Sequence, residues 1–122
     1  MELSTYYRST SSYRVRIALA LKGLDYQALP VHLIAAPGGE HRQPAYLAIN
    51  PQGRVPALRT DEGALLVQSP AIIEYLEERY PQVPLLSADL TVRAHERGVA
   101  ALIGCDIHPL HNVSVLNQLR QW

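Results

Sequence analysis

The sequence predicts an α/β domain of thioredoxin-like type, a βαβ unit followed by ββα around a four-stranded mixed sheet, and after it a partial all-helical C-terminal domain. Three observations carry the prediction. A short strand leads through a hydroxyl-rich loop into a helix that stops at Gly23. Apolar runs on either side of Thr60-Asp61-Glu62-Gly63 read as a hairpin. A Ser69-Pro70 pair opens a last helix that Pro81 ends. The 122 residues, 48% apolar and 18% charged, suffice for one core of ordinary size and are too apolar for a disordered chain.

Taken in order, residues 2–6 form a first strand, and Arg8-Ser9-Thr10-Ser11-Ser12 is a loop ending in a hydroxyl cap. From residue 13 to 22, Val15, Ala18 and Leu19 recur at helical spacing beside a second stripe, Ile17 and Leu21, which predicts a helix buried on more than one side. A second strand is expected over 26–34, and Ala35-Ala36-Pro37-Gly38-Gly39 breaks regular structure. One or two helical turns over 45–49 precede the turn Asn50-Pro51-Gln52-Gly53. Residues 55–59 and 64–67 pair as the hairpin. Ser69 is expected to cap the last helix, with Pro70 at its first position and Ile72, Ile73 and Leu76 turned inward. The first two strands need a crossover helix and should be parallel, the hairpin strands antiparallel.

This domain is expected over residues 1–81, a proline-bearing linker over 82–88, and the incomplete helical domain over 89–122, with helices at 90–105 and 110–119. Within that last piece Leu102, Ile103, Ile107, Leu110, Val115 and Leu119 have no partner helices to bury them. They require the first unit or a second chain, which points to a fragment or an oligomer.

Eleven basic residues balance eleven acidic ones, so the electrostatic footprint of a nucleic-acid or anionic-membrane binder is missing. The uninterrupted apolar stretches, 17–21 and 64–67, fall short of the ~20 residues of a bilayer span. Met1-Glu2-Leu3 lacks the start of a signal peptide, and one cysteine, Cys105, excludes an internal disulfide. A cytoplasmic protein acting on a small molecule is expected.

Three places could carry chemistry. At the start of the first helix, Ser9, Thr10, Ser11 and Ser12 set hydroxyls beside free backbone N–H groups, a place that favours an anion such as a thiolate; the same residues would also serve as plain caps. At the hairpin entrance, Arg54-Val55-Pro56 is a candidate cis peptide that would present the Val55 main chain to an extended ligand; a trans proline on an edge strand is the alternative. At the last helix start, Gln68 and Ser69 could hold a carboxylate or merely cap. All three fall on one edge of the predicted sheet and form one groove. Cys105, His108 and His111 suggest a metal, but their spacing drifts round the helix and Pro109 interrupts it, so no metal site is expected.

Residues 8–23, from Arg8-Ser9-Thr10-Ser11-Ser12-Tyr13-Arg14 to Lys22-Gly23, resemble the signature of zeta-class glutathione transferases, the maleylacetoacetate and maleylpyruvate isomerases. Asn50-Pro51-Gln52-Gly53-Arg54-Val55-Pro56, Gln68-Ser69-Pro70-Ala71-Ile72-Ile73-Glu74-Tyr75-Leu76 and Gly104-Cys105-Asp106-Ile107-His108-Pro109-Leu110-His111-Asn112 continue the resemblance in order and spacing over nearly the whole chain. It implies glutathione as cofactor, with Ser9 on its sulfur, Thr10 and Ser11 beside it in the catalytic loop, Val55 and Pro56 as main-chain clamp, and Gln68 with Ser69 on the γ-glutamyl carboxylate. His108 and Asn112 would line the site from the second domain.

Thr10 and Ser11 stand where many members have serine and cysteine, and Tyr13 replaces a tryptophan, so any thiol chemistry must come from glutathione. The implied reaction is cis–trans isomerisation of a maleyl keto acid in aromatic catabolism by a homodimer, with Arg8 the first candidate for a substrate carboxylate. A non-catalytic glutathione-binding module is the competing reading.

Overall fold

The computed structural model describes residues 1–35 and 38–122, apart from the side chain of His111. The loop break expected across Ala36 and Pro37, and the place of His111 in a metal cluster, therefore lie outside the described residues. The chain divides into two units, Met1–Leu85 and Leu86–Trp122.

In the first unit β1 (Glu2–Thr5) runs into α1 (Thr10–Leu21), then β2 (Gln27–Pro30), a 3-10 turn (Glu40–Arg42), the short α2 (Pro44–Leu47), the hairpin β3 (Ala57–Arg59) and β4 (Leu65–Val67), and α3 (Ser69–Arg79). The sheet order is β2-β1-β3-β4. β1 pairs parallel with β2, Leu3 opposite Ala28, because α1 carries the chain back to the same end of the sheet. β3 lies antiparallel to β1 and to β4, with Leu58 opposite both Leu3 and Leu66. In the hairpin loop Thr60 N–H bonds the Ala64 carbonyl at 2.8 Å while Thr60 Oγ1 accepts the Ala64 N–H at 3.1 Å, and Gly63 takes φ 88°, a region an L side chain resists. The four-stranded mixed sheet and its thioredoxin-like order are as predicted.

Leu3 and Leu58 from the sheet, Val15, Ala18 and Leu19 from α1, and Ile72 and Leu76 from α3 make one core. A smaller cluster of Tyr6, Val31, Tyr46 and Val55 packs at the end of the sheet where the loops gather.

Several boundaries differ from expectation, each for a local reason. β2 stops at Pro30 rather than running to residue 34: β1 ends at Thr5, whose carbonyl takes the Val31 N–H, and beyond it His32 bonds to Glu40 instead of to a strand. β3 starts at Ala57 because Pro56 has no N–H to give the ladder. Ile17 and Leu21, expected to be buried, are 42% and 62% exposed, since α1 has only one covered face. Ser69 is the first residue of α3 rather than its cap, the cap position falling on Gln68.

Lys22 at the end of α1 is buried. Its Nζ sits 2.6 Å from Glu77 Oε2 on α3 and donates to the Tyr80 and Val83 carbonyls at 3.0 and 2.8 Å. Glu77 in turn accepts the Leu85 N–H. One ion pair thus ties two helices to the strand of chain that leaves the unit.

The second unit holds α4 (Leu90–Ala101), a π-helical turn (Leu102–Ile107), a 3-10 turn (His108–His111) and α5 (Val113–Leu119). Asp89 caps α4 through the N–H groups of Thr91 and Val92. The expected helix to residue 105 widens at Leu102, and the next helix starts at Val113 rather than 110, because Pro109 cannot donate and Asn112 caps α5 by accepting from Ser114 and Val115. Among the described residues none in this unit is buried, and Leu102, Ile103, Ile107, Leu110 and Leu119 are exposed. By length and composition the run Leu90–Leu119 is long and apolar enough to cross a membrane, which a search for uninterrupted apolar stretches overlooks.

Candidate functional site

Ser9 occupies the cap position of α1 with extended backbone, φ −77° and ψ 115°, and its Oγ accepts the Ser12 N–H at 3.2 Å. A hydroxyl has one proton and two lone pairs. Capping uses a lone pair and leaves the O–H able to donate to an anion, so the capping and anion-binding readings of Ser9 are compatible. Thr10 and Ser11 fill the first turn, the former exposed and the latter half-buried. No acidic residue stands in that turn, and a helix start favours an anion. Arg8 lies exposed immediately before it.

The loop between β1 and α1 is held from inside the helix. Arg16 donates through Nη1 to Thr5 Oγ1 at 2.8 Å and to the Tyr6 carbonyl at 3.1 Å, and through Nη2 to the Tyr7 carbonyl at 3.2 Å. The Tyr6 carbonyl also takes the Ser9 N–H at 3.0 Å.

The Val55-Pro56 peptide is cis. Val55 is buried in the smaller cluster, and among the described residues none bonds its N–H or C=O. The turn before it is fixed by two donors on one acceptor: Tyr46 O–H and Asn50 Nδ2 each reach the Arg54 carbonyl at 2.7 Å, and Asn50 Oδ1 accepts the Gln52 N–H. Burial pushes the Tyr46 hydroxyl up to about 12, so it stays a donor at any ordinary pH. The close fit extends to Gly53, where an added Cβ would lie 3.1 Å from the His41 carbonyl.

At the start of α3, Gln68 holds φ 73° and ψ 114°, a left-handed φ that a side chain resists. Its Nε2 donates to Gln52 Oε1 at 2.7 Å, and the buried Ser69 Oγ accepts from Arg14 Nη1 at 3.4 Å. The start of α3 is thereby linked to α1 through Arg14 and to the 50–54 turn through Gln52. His108 and Asn112 belong to the other unit. His108 is half-buried in the 3-10 turn, and the Asn112 side chain is used locally, its Nδ2 donating to the Pro109 carbonyl at 2.8 Å while Oδ1 caps α5.

Sequence reasoning missed the supports. Tyr46 was legible only as part of a helical turn and Arg14 only as a helix residue, since neither partner lies within a helical turn of it. His41 was also passed over. It is half-buried with Nδ1 unpartnered among the described residues, and burial holds its pKa below the ordinary histidine value, which leaves it a neutral imidazole near pH 7. A concavity of about 650 Å³, lined by Thr5, Tyr6, Tyr7, Arg16, Pro30, His32 and Glu40, adjoins the loop but includes neither Ser9 nor Val55.

Residues 3–84 match the model of the glutathione S-transferase N-terminal domain. Maleylacetoacetate isomerase of Pseudomonas aeruginosa is 82% identical over all 122 residues, which span 57% of it. Maleylpyruvate isomerase of a Ralstonia species is 52% identical over 99% of this chain and 55% of its own. Among solved structures, the holo form of a maleylpyruvate isomerase described as a bacterial zeta-class glutathione S-transferase superposes with a TM-score of 0.92 at 50% identity, covering 99% of this chain and 55% of that one. A maleylacetoacetate isomerase from Methylobacterium extorquens AM1 with malonate and glutathione bound gives 0.91 at 42% identity over the same shares. The chain thus spans little more than half the length of these relatives.

Proposed function

We propose that this chain, which belongs to the glutathione S-transferase family through the N-terminal domain matched over residues 3–84, binds glutathione across its three linked loop sites and uses the thiolate to isomerise a maleyl keto acid. The observation that carries the reading is the linkage itself: a helix start rich in hydroxyls, an unengaged Val55 main chain and a strained Gln68-Ser69 corner are joined by Arg14 and Gln52. An extended tripeptide with a sulfur near one end and a carboxylate near the other suits that set.

In this assignment Ser9 donates to the sulfur, and the Thr10 and Ser11 N–H groups and hydroxyls complete its surroundings. Val55, with Pro56 next to it, pairs with the tripeptide backbone, and Gln68 with Ser69 receives the γ-glutamyl carboxylate. A free thiol titrates near ~8.5, and ionising it at neutral pH asks for roughly 2 kcal/mol. A helix start gives up to ~2 kcal/mol when partly buried, and a hydrogen bond to a charged group adds about 1.5–3 kcal/mol. The two together are sufficient.

The thiolate adds to the cis carbon–carbon double bond conjugated with the ketone, forming a C–S bond while the electron pair moves to the carbonyl oxygen as an enolate. The former double bond, now single, rotates. Collapse of the enolate breaks the C–S bond, expels the thiolate and leaves the trans isomer, so glutathione is regenerated and no redox partner is needed. The substrate carries two carboxylates, for which Arg8, exposed and next to Ser9 in sequence, is the first candidate. Malonate, a dicarboxylate, occupies the Methylobacterium relative together with glutathione. By the resemblance, His108 and Asn112 are assigned to the glutathione-binding residues as well.

The same proposal places the protein in the cytoplasm as a homodimer, with no nucleic acid and no membrane among its partners. Its charges cancel, and the apolar run Leu90–Leu119 includes Arg93, Glu96, Arg97 and Asp106, which suit a face in a helical bundle better than a bilayer.

A second reading, a glutathione-binding module without catalysis, is favoured by one observation: among the described residues none of the second unit is buried, so those residues build no enclosed, water-excluding wall of their own. Conversion of cis-maleylpyruvate to the trans isomer that depends on added glutathione separates the two readings. Ser9→Ala is expected to lower that turnover at least ~10-fold while glutathione affinity stays nearly the same; unchanged turnover removes Ser9 from the role.

A further inference from the structure

Arg16 stands more than a turn inside α1, yet it commits its guanidinium to the loop before that helix. Nη1 bonds both Thr5 Oγ1, at the end of β1, and the Tyr6 carbonyl, and Nη2 bonds the Tyr7 carbonyl. The Tyr6 carbonyl is also the acceptor of the Ser9 N–H. A single oxygen is therefore shared between the guanidinium and the backbone of the residue whose hydroxyl faces the sulfur. The Arg16 Cζ lies 5.2 Å from the centre of the Tyr13 ring, so the side chain is confined from the helix side as well. Without Arg16 the Tyr7 carbonyl, at the exposed tip of the loop, would turn to water, and the Tyr6 carbonyl would keep only its bond from Ser9.

We infer that Arg16 is the positioning residue of the glutathione site: its planar fork fixes residues 5–9 so that Ser9 Oγ and the first N–H groups of α1 converge on one point, without itself touching the ligand. This rests on the reading that glutathione binds there. The geometry asks for a fork rather than a charge. A lysine ammonium is a point donor on a flexible stem and cannot hold oxygens from three successive residues in one plane. The loop would remain, but the Ser9 hydroxyl would sample orientations that do not meet the sulfur, and the cost falls on the ionised thiol more than on the body of the tripeptide.

The test uses the 122-residue chain with reduced glutathione. Thiolate ultraviolet absorbance is followed against pH for the parent, Arg16→Lys and Arg16→Met, with affinity measured by calorimetry near pH ~6, where the bound thiol is largely protonated. The parent is expected to lower the thiol pKa on binding. Both variants should raise it again by about one pH unit while the acid-side affinity stays within about threefold. A bound thiol in Arg16→Lys that titrates with the parent's overturns the inference, because charge without a fork then suffices. So does a loss of affinity with no change in the thiol. Should Arg16→Met fail to fold, Arg16→Lys decides alone. A parent that binds no glutathione overturns the functional reading and this inference with it, whereas a parent that binds and ionises glutathione beside unaltered variants overturns this inference only.

Discussion

The two units of this chain are held by different means. Met1–Leu85 buries side chains from both sheet and helices around Leu3, Leu19, Leu58, Ile72 and Leu76, each fully inaccessible, and closes with the Lys22–Glu77 pair. Leu86–Trp122 owes its helices to local devices: the Asp89 cap, the Asn112 cap, the Glu96 carboxylate on the Ser87 N–H and the Arg93 Nε on the Ser87 carbonyl. Caps contribute about 0.5–2 kcal/mol each, a fraction of what a shared core supplies. The first unit carries its own stability and, on our reading, the cofactor. The second presents apolar surface, Leu102, Ile103, Ile107 and Leu110 among it, whose burial requires another surface.

Four substitutions sharpen that contrast, beginning with the largest effect. Lys22 places its ammonium protons on Glu77, Tyr80 and Val83, so Lys22→Met strands a nearly buried carboxylate and two carbonyls. A loss of about 3–5 kcal/mol is expected in denaturant unfolding of the first unit; a loss below about 1 kcal/mol would mean that the pair is not part of what holds the unit closed. Leu76→Ala removes a core side chain and should cost about 2–5 kcal/mol, while Leu102→Ala in the other unit should change stability by less than about 0.5 kcal/mol. Similar costs at the two leucines would erase the distinction between the units.

A smaller effect than at Lys22 or Leu76 is expected at Tyr46→Phe, which deletes one of two donors on the Arg54 carbonyl and should cost about 1 kcal/mol. Its pH signature is more specific. Because burial raises the folded pKa to about 12 from the ordinary 10, the native state binds this proton more tightly than the unfolded one. The contribution is complete below pH ~10 and is lost as pH rises towards about 12. Stability measured between pH ~9 and ~12 should therefore fall more steeply in the parent than in Tyr46→Phe; parallel slopes would show that the hydroxyl is not held as described.

Much of the fold was legible because it follows from local pattern. Element order and strand direction came from the crossover helix and the hairpin, and the hydroxyl run and the Val55-Pro56 corner were visible as capping and turn chemistry, although the cap falls on Ser9 and α1 already starts at Thr10 rather than after residue 12. The departures have tertiary causes. β2 ended early because its partner ended, which no feature of residues 31–34 announces. Ile17 and Leu21 formed a plausible second buried stripe, but helical spacing cannot tell whether another element covers a face. Ser69 has the sequence of a cap, yet Gln68 takes the cap position with a left-handed φ and Ser69 turns its hydroxyl to Arg14, 55 residues away in sequence. The bonds that assemble the candidate site, Arg14 to Ser69 and Gln68 to Gln52, join residues whose proximity exists only after folding. The widening of α4 at Leu102 has no sequence signal that we can identify.

The central claim is that the first unit holds glutathione on the rim made by the α1 start, the Val55 main chain and the α3 start. Amide chemical-shift mapping of the 15N-labelled chain during a glutathione titration tests it most directly. The account predicts saturable shifts concentrated at Ser9, Thr10, Ser11, Val55, Gln68 and Ser69. Shifts confined to Tyr7, His32 and Glu40 around the neighbouring concavity, or no shifts at saturating glutathione, would contradict it.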